Sequence, residues 1–202
     1  MRITALLAAL GVVIALSSTP SEAREDLVQQ FELPKVEDDV PVQRAANMSI
    51  TAREAYEKWK AESGRPIVLD VRTPEEFLFV GHPPMARNVP LMAQSYVWDS
   101  ETRQFPMRLL SDFVSRVEKI AKPDDTLLVM CRSGNRSAQA VSLLKEAGFR
   151  NVYNISDGME GDLVDDPRSV FHGQRMLNGW KNSGLPWTYE TDPAQMILPP
   201  NR

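Results

Sequence analysis

The chain has 202 residues, a formal net charge of −4 at pH 7 and a sequence pI near 5.3. This mildly acidic balance gives no indication of binding to nucleic acid or to an anionic membrane surface, and the length suits one domain with an ordinary core. The single cysteine, Cys131, excludes an intramolecular disulfide, a CxxC redox motif and a zinc site built from paired cysteines.

Residues 1–23 have the three-part pattern of a secretory signal peptide. A basic residue precedes an apolar stretch from Ala5 to Leu16, and the small residues Ser21 and Ala23 come just before a cleavage site. The apolar stretch is too short for a permanent membrane span, and an uncleaved N-terminal anchor is the alternative. We therefore expect a mature protein that begins near Arg24, is periplasmic or secreted, and has no membrane partner after cleavage.

The next segment, residues 24–48, is polar and punctuated by proline, which predicts an extended N-terminal arm. A helix is predicted from Thr51 to about Glu62. Glu54, three residues after Thr51, completes a capping box, and Gly64 ends the helix.

Downstream, short apolar strands alternate with helical segments. Strands are predicted at Pro66–Val71, Ala86–Leu91, Asp124–Met130 and Asn151–Ile155. Helices are predicted at Thr73–Val80, Arg108–Ala121 and Asn135–Ala147. This alternation predicts an α/β fold with a mostly parallel sheet.

Cys131 lies where one of these strands ends and the loop CRSGNRS leads into a helix. Active sites of open α/β sheets lie at this edge, and the free N–H groups at a helix start can bind an anion. Gly134 permits backbone conformations that are closed to other residues, and Arg132 and Arg136 add positive potential. These features favour a thiolate nucleophile over the alternative of a buried structural cysteine, which needs none of them.

Four motifs follow one another between about Ser49 and Tyr189. They are LDVRTPEEF with GHPPMARNVPL, then CRSGNRS, GFRNVYNISDGMEG and NGWKNSGLPW. Together they resemble the signature of the rhodanese-like sulfurtransferases. The resemblance implies a rhodanese-like domain over 49–190, in which a parallel five-stranded sheet is flanked by helices on both faces. Residues 191–202 are then a C-terminal tail.

The same resemblance implies roles for individual residues. It makes Cys131 the catalytic nucleophile and assigns substrate binding to the loop residues Arg132, Ser133, Gly134, Asn135, Arg136 and Ser137. Separately, Asp70 and Arg72 follow one another at the end of a strand and are predicted to form a supporting ion pair near the site. We expect no cofactor and no metal, because two histidines are too few for a metal site without carboxylates brought in by folding.

The implied activity is that of a thiosulfate sulfurtransferase-like enzyme. The Cys131 thiolate takes sulfane sulfur from a small anionic donor such as thiosulfate, and the persulfide passes it to a thiol, a protein or another nucleophilic acceptor. A cysteine-dependent phosphatase is disfavoured because its arginine stands one position further along, where this chain has Ser137. A sulfur-carrier module without turnover of its own, and a domain that only binds an anion or a partner, remain alternatives.

Two features depart from the family pattern. The turn reads GHPPMA where the family usually has Gly-His-Ile-x-Gly-Ala, and residues 162–177 form an insertion. A charged insertion of this length is a solvated surface loop or, alternatively, a segment at the rim of the active site that shapes access.

The signal peptide leads to a prediction about maturation. Protein recovered from its native host should begin near Arg24 and should fractionate outside the cytoplasm, because the export machinery removes residues 1–23. N-terminal sequencing of the fractionated protein measures this. A full-length chain that retains Met1 in the cytosolic fraction would contradict it.

Overall fold

The computed structural model describes residues 48–63 and 65–199. The predicted signal peptide at 1–23, all but the last residue of the arm predicted at 24–48, and Gly64 lie outside the described residues. The strands are β1 (Ser49–Ile50), β2 (Ile67–Asp70), β3 (Arg87–Asn88), β4 (Met92–Gln94), β5 (Met107–Leu109), β6 (Thr126–Met130) and β7 (Asn151–Ile155). The helices are α1 (Ala52–Ala61), α2 (Pro74–Val80), α3 (Phe113–Val117), α4 (Asn135–Glu146) and α5 (Gly179–Asn182). None of these helices is long and apolar enough to cross a bilayer.

The main sheet has five strands in the order β1-β7-β6-β2-β3, and every neighbouring pair is parallel. This confirms the predicted α/β fold with its parallel five-stranded sheet. Strand β6 is central, and its last residue, Met130, is level with Asp70 at the end of β2. The residues that follow these two strands therefore emerge side by side at the carboxyl edge of the sheet.

Helices cover both faces of the sheet because side chains of the central strands alternate between two cores. Leu127 and Val129 of β6 belong to one core, which also contains Phe113 and Val117 of α3 and Val141 and Leu144 of α4. Leu128 and Met130 belong to the other core, which also contains Ala55 of α1, Phe77 of α2 and Trp180 of α5. The predicted flanking by helices on both faces is thus confirmed.

Two of these α-helices begin with a capping box. Thr51 and Glu54 form the predicted box at the start of α1. A second box, which the sequence analysis did not identify, joins Thr73 to Glu76 at the start of α2, where Pro74 occupies the first helical position. In this box Oε2 of Glu76 accepts a hydrogen bond from the backbone N–H of Thr73 at 3.1 Å. The second box fixes the Glu76 carboxylate beside the carboxyl edge of the sheet.

The helix predicted over Arg108–Ala121 is wrong in its first part. Met107–Leu109 forms strand β5 and pairs antiparallel with β4, and the helix extends only from Phe113 to Val117. The backbone N–H of Leu110 donates to the carbonyl of Leu91 at 2.9 Å, which continues the strand-like connection. Leu109 still packs against the core from the strand. The apolar residues whose spacing predicted a helix are therefore buried in part by a strand that pairs with β4, which is a non-local contact.

Part of the predicted C-terminal tail packs along the edge strand β3. Met196 pairs with Asn88 in a parallel bridge, and the N–H of Ile197 donates to the Asn88 carbonyl at 2.8 Å. Ile197 also contacts the core that contains α3 and α4. The tail segment thus supplies a partner for backbone groups at the edge of the sheet; the domain boundary at residue 190 stays a prediction.

A buried arginine joins this tail to the domain, which leads to a prediction of stability. Arg116 is 2% exposed, pairs with Asp112 at 3.1 Å and donates to the carbonyls of Pro90 at 2.8 Å and Ile197 at 3.2 Å. Arg116→Ala leaves both carbonyls without this donor, so we expect a loss of about 3 kcal/mol of unfolding free energy in urea denaturation. The matched control is Arg150→Ala, which removes only an exposed ion pair with Asp124 and should cost about 0.5 kcal/mol. Equal losses in the two variants would contradict a stabilising role for the hydrogen bonds of Arg116.

Candidate functional site

Cys131 directly follows the central strand β6, and its side chain is 1% exposed. Its carbonyl accepts a hydrogen bond from the N–H of Met159 at 2.8 Å, and the Arg132 carbonyl accepts one from the N–H of Glu160 at 2.9 Å. The segment after β7 therefore holds the back of the Cys131 loop. The predicted position of Cys131 at the carboxyl edge of a parallel sheet is confirmed.

Two glycines permit this close packing. Gly134 has a φ of +94°, and a Cβ at this position would overlap the carbonyl oxygen of Ser156. Gly158 has a φ of +57°, and its Cβ would come within 2.5 Å of the Cys131 carbonyl oxygen. Any larger residue at either position would displace the loop. The sequence pattern predicts a special role for Gly134 but not for Gly158, although the Asp-Gly pair in SDGMEG is a turn signal.

The front of the loop carries unpaired backbone donors. The first hydrogen bond of α4 runs from the N–H of Ala138 to the Gly134 carbonyl at 3.0 Å, and α4 extends over 12 residues. Within the part of the chain that the structure describes, no acceptor pairs with the backbone N–H groups of residues 132–137. This stretch of free N–H groups, at a helix start and beside a thiol, is suited to hold an anion.

Ser137 contacts the thiol directly. Its hydroxyl lies 3.4 Å from Sγ of Cys131 and 2.9 Å from the carbonyl oxygen of Gly134, and the residue is fully buried. The single hydroxyl hydrogen serves one acceptor at a time. When Cys131 is a thiolate, the negative sulfur becomes a strong acceptor, so Ser137 can stabilise the nucleophilic form.

The predicted ion pair between Asp70 and Arg72 is present and has no solvent exposure. Nη2 of Arg72 lies 2.6 Å from Oδ2 of Asp70 and donates to the Gly81 carbonyl at 2.9 Å, while Nε contacts both carboxylate oxygens at 3.0 Å. Burial alone would lower the pKa of Arg72, but the Asp70 carboxylate, with smaller contributions from Glu76 and Glu160, raises that pKa above its usual value. Asn88 Nδ2 donates to the carbonyls of Asp70 and Arg72, so the end of β2 is held firmly next to Cys131.

Arg136 is held by a carboxylate that the sequence analysis did not predict. Its two terminal nitrogens each lie 2.7 Å from an oxygen of Glu76, and the side chains are 14% and 18% exposed. Burial alone would raise the pKa of Glu76, but the hydrogen bonds and charge of Arg136 hold this pKa below its usual value. Burial alone would lower the pKa of Arg136; Glu76, with a smaller contribution from Cys131, raises it. Arg136 therefore lies within electrostatic reach of the thiol, but as half of an ion pair.

The other predicted loop residues lie at the surface. Arg132 and Asn135 are exposed, and Ser133 is half-buried. Among residues 48–63 and 65–199, no carboxylate forms an ion pair with Arg132. Arg132 is therefore the loop arginine whose charge is not paired with a carboxylate of this part of the chain. It is also the more exposed of the two loop arginines. Roles in substrate binding for the residues from Arg132 to Ser137 stay predictions.

Neither histidine is part of the Cys131 loop. His82 is buried, stacks on Phe77 with ring centroids 3.7 Å apart, and has Nδ1 3.0 Å from the Pro83 carbonyl oxygen. His172 lies in the exposed insertion at 162–177, which begins just after Glu160, the residue bound to the Arg132 carbonyl. The insertion is therefore a surface segment whose base adjoins the rim of the site. In the described residues, no three His, Cys, Asp or Glu side chains are grouped so as to hold a metal ion.

Known proteins with similar sequences or structures support one family. A model of the rhodanese-like domain matches residues 51–163. An uncharacterized protein of Rickettsia prowazekii is 32% identical over 122 residues, which cover 60% of this chain and 82% of that protein. The chloroplastic thiosulfate sulfurtransferase 16 of Arabidopsis thaliana is 39% identical over 90 residues, or 45% of this chain and 68% of that protein.

A solved structure agrees with these sequence matches. The crystal structure of Rv0390 from M. tuberculosis has a TM-score of 0.53 and 28% sequence identity, and the match covers 70% of this chain and 97% of that one. The family model spans more than half of the chain, and the parallel sheet with its cysteine loop has the expected form. This chain belongs to the rhodanese-like domain family.

Proposed function

We propose that this protein is a sulfurtransferase in which Cys131 carries sulfane sulfur from a donor to a nucleophilic acceptor. The observation that carries the proposal is a buried thiol at the end of β6, followed by residues 132–137, whose backbone N–H groups have no acceptor within the described ranges 48–63 and 65–199. Membership of the rhodanese-like family supports it, as does similarity to a plant protein named as a thiosulfate sulfurtransferase. We further propose, from the signal-peptide pattern, that the protein works in the periplasm or outside the cell.

The reaction consists of two balanced steps. In the first, the Cys131 thiolate attacks the outer sulfur of thiosulfate, the sulfur–sulfur bond of thiosulfate breaks, and sulfite leaves with the bonding electron pair. Cys131 becomes a persulfide anion, so charge is conserved. In the second, an acceptor thiolate attacks the terminal sulfur and the Cys131 thiolate leaves, which returns the enzyme to its first state. The acceptor carries the transferred sulfur away as its own persulfide.

The described residues suit each state of this cycle. The free N–H groups of residues 132–137 are suited to hold the negative terminal sulfur of the persulfide, in the manner of an oxyanion hole. Ser137 can donate to Sγ when it is a thiolate. The buried Asp70–Arg72 pair keeps the neighbouring strand end in place and supplies no proton. The reaction needs no redox cofactor, because the transferred sulfur has the same oxidation state in the donor, in the Cys131 persulfide and in the product.

A sulfur-carrier module that depends on a protein partner is the second candidate. The turn between β4 and β5 exposes large apolar side chains, those of Tyr96, Val97, Trp98 and Phe105. This turn adjoins the site, because Met107 of β5 places its sulfur 3.7 Å from Nη1 of Arg136. Exposed apolar side chains grouped in this way are typical of protein contact surfaces, which favours a protein among the acceptors.

The decisive variant is Cys131→Ser. We expect near-total loss of thiosulfate sulfurtransferase activity, because a serine hydroxyl stays protonated at neutral pH and holds no transferable sulfur. The melting temperature should stay close to that of the wild type, because the smaller hydroxyl can still hydrogen-bond to Ser137. Both quantities are measured on the same preparations. Retained transfer, accompanied by a stability loss of about 1–3 kcal/mol, would instead identify Cys131 as a structural residue.

Mass spectrometry together with steady-state kinetics distinguishes a sulfurtransferase enzyme from a sulfur carrier without turnover. After incubation with thiosulfate, the wild-type protein should gain the mass of one sulfur atom on Cys131, and Cys131→Ser should gain none. Steady-state turnover with small thiols then indicates an enzyme, whereas a stable adduct without turnover indicates a carrier. A wild-type protein that gains no sulfur from thiosulfate would contradict thiosulfate as the donor.

A second variant tests the hydrogen bond to the thiolate. Ser137→Ala removes a donor from Sγ, so alkylation of Cys131 at neutral pH should slow by about threefold to tenfold. Ser142→Ala is the matched control, because it removes a hydroxyl from the same helix that bonds to the Ala138 carbonyl and not to Sγ, and its rate should stay close to that of the wild type. Alkylation of Ser137→Ala at the wild-type rate would show that the backbone N–H groups alone stabilise the thiolate.

A further inference from the structure

Four charged side chains near Cys131 form a cluster of two ion pairs. Asp70 pairs with Arg72, and Glu76 pairs with Arg136, so two carboxylates face two guanidinium groups. The two pairs also interact with each other, because Arg72 contributes to lowering the pKa of Glu76 and Asp70 to raising that of Arg136. The sequence suggests a cationic site, but the structure pairs Arg136 with a carboxylate, and the half-buried Glu160 adds a further negative charge that acts on Arg72.

Arg136 is fixed in this cluster by geometry as well as by charge. Both of its terminal nitrogens bond to Glu76, a bidentate arrangement that is strong and directional. Glu76 is also held in place, because its Oε2 accepts two hydrogen bonds, one from Nη1 of Arg136 and one from the backbone N–H of Thr73. A donor molecule that required the Arg136 guanidinium would have to break this pair and leave a largely buried carboxylate without its cation.

We infer that Glu76 is a positioning residue that determines which donor charge the site accepts. By neutralising Arg136, Glu76 disfavours a dianionic sulfur donor relative to a monoanionic donor with the same reacting atoms. The inference rests on the proposed sulfur transfer at Cys131 and adds a selection by charge. The physical basis is that Arg136 is already paired with Glu76, so that among the described residues of the loop a second negative charge on the donor is left with the unpaired backbone N–H groups and the exposed Arg132.

Two donors provide the probe. Thiosulfate is a dianion, and methanethiosulfonate is a monoanion that presents the same outer sulfur on a sulfonyl sulfur. In both cases the Cys131 thiolate bonds to the outer sulfur and the sulfur–sulfur bond of the donor breaks. Sulfite leaves from the first donor and methanesulfinate from the second, each with the bonding electron pair. The ratio of kcat/KM for thiosulfate to kcat/KM for methanethiosulfonate cancels effects on the reactivity of Cys131 and reports donor charge.

The experiment measures this ratio in a charge series. Glu76→Gln keeps a hydrogen-bonding side chain and frees the charge of Arg136, so the ratio should rise about fivefold, mainly through a lower KM for thiosulfate. Arg136→Gln leaves the Glu76 carboxylate alone, so the ratio should fall by about the same factor. The double variant Glu76→Gln with Arg136→Gln restores neutrality, and its ratio should return to within about twofold of the wild type.

The double variant distinguishes the two roles that Arg136 could have. If Arg136 bonded to the donor directly in the wild type, the double variant would resemble Arg136→Gln and not the wild type. That result would overturn the inference, as would a Glu76→Gln ratio equal to that of the wild type. If Arg136→Gln does not fold, Glu76→Gln and its control decide the question, since the amide oxygen of the glutamine can still accept a hydrogen bond from Arg136.

The matched control is Glu75→Gln. Glu75 is adjacent on α2, and its carboxylate accepts a hydrogen bond from the Tyr96 hydroxyl at 3.1 Å in place of an arginine. Glu75→Gln makes the same change in net charge, and its ratio should stay within about twofold of the wild type because exposed charges are screened. An equal rise in Glu75→Gln and Glu76→Gln would overturn the role of the ion pair.

Measuring sulfur uptake by Cys131 distinguishes a failure of this inference from a failure of the proposed function. If wild-type Cys131 gains no sulfur from either donor, the proposed function itself fails. If the adduct forms but the ratio is the same across the charge series, only the role of Glu76 fails. Melting temperatures for each variant show whether a change in the ratio accompanies a loss of structure.

Discussion

The candidate site depends on the close approach of residues 158–160 to the back of the Cys131 loop. Two backbone hydrogen bonds, from Met159 to the Cys131 carbonyl and from Glu160 to the Arg132 carbonyl, fix that side of the loop. The approach is sterically open only because Gly158 has no side chain. While the carbonyls of Cys131 and Arg132 are engaged, the backbone N–H groups of residues 132–137 have no acceptor among the described residues.

Electrostatic balance is the second constraint on the site. Burying a guanidinium requires a partner, because an uncompensated charge in a low-dielectric interior is strongly destabilising. Arg72 and Arg136 are each paired with a carboxylate from an element that precedes α4, Asp70 from β2 and Glu76 from α2. Arg72 therefore holds the end of β2, and Arg136 joins the start of α4 to the start of α2. The remaining cation, Arg132, stays at the surface, where solvent stabilises it.

Several parts of the fold were predictable because local patterns determine them. Strand β6 is a short apolar run, the start of α4 follows a glycine, and the capping box at Thr51 and Glu54 is complete within one helical turn. The Asp70–Arg72 pair joins residues two positions apart at a strand end. The hairpin β4–β5 was not predictable in this way. Its strands pair across a long turn, and the apolar spacing of Leu109 and Phe113 fits a helix equally well.

The sequence by itself determined the parallel α/β fold, the nucleophilic candidate Cys131 and the loop that leads into α4. The physical reason is that strand pattern, glycine position and helix start act over a few residues. Only the tertiary structure decided which partners complete the site. Glu76 meets Arg136 across 60 residues of sequence. Gly158 meets the carbonyl of Cys131 because β7 and β6 are neighbours in the sheet. Such contacts depend on the order of the strands, which brings together residues that no local pattern relates.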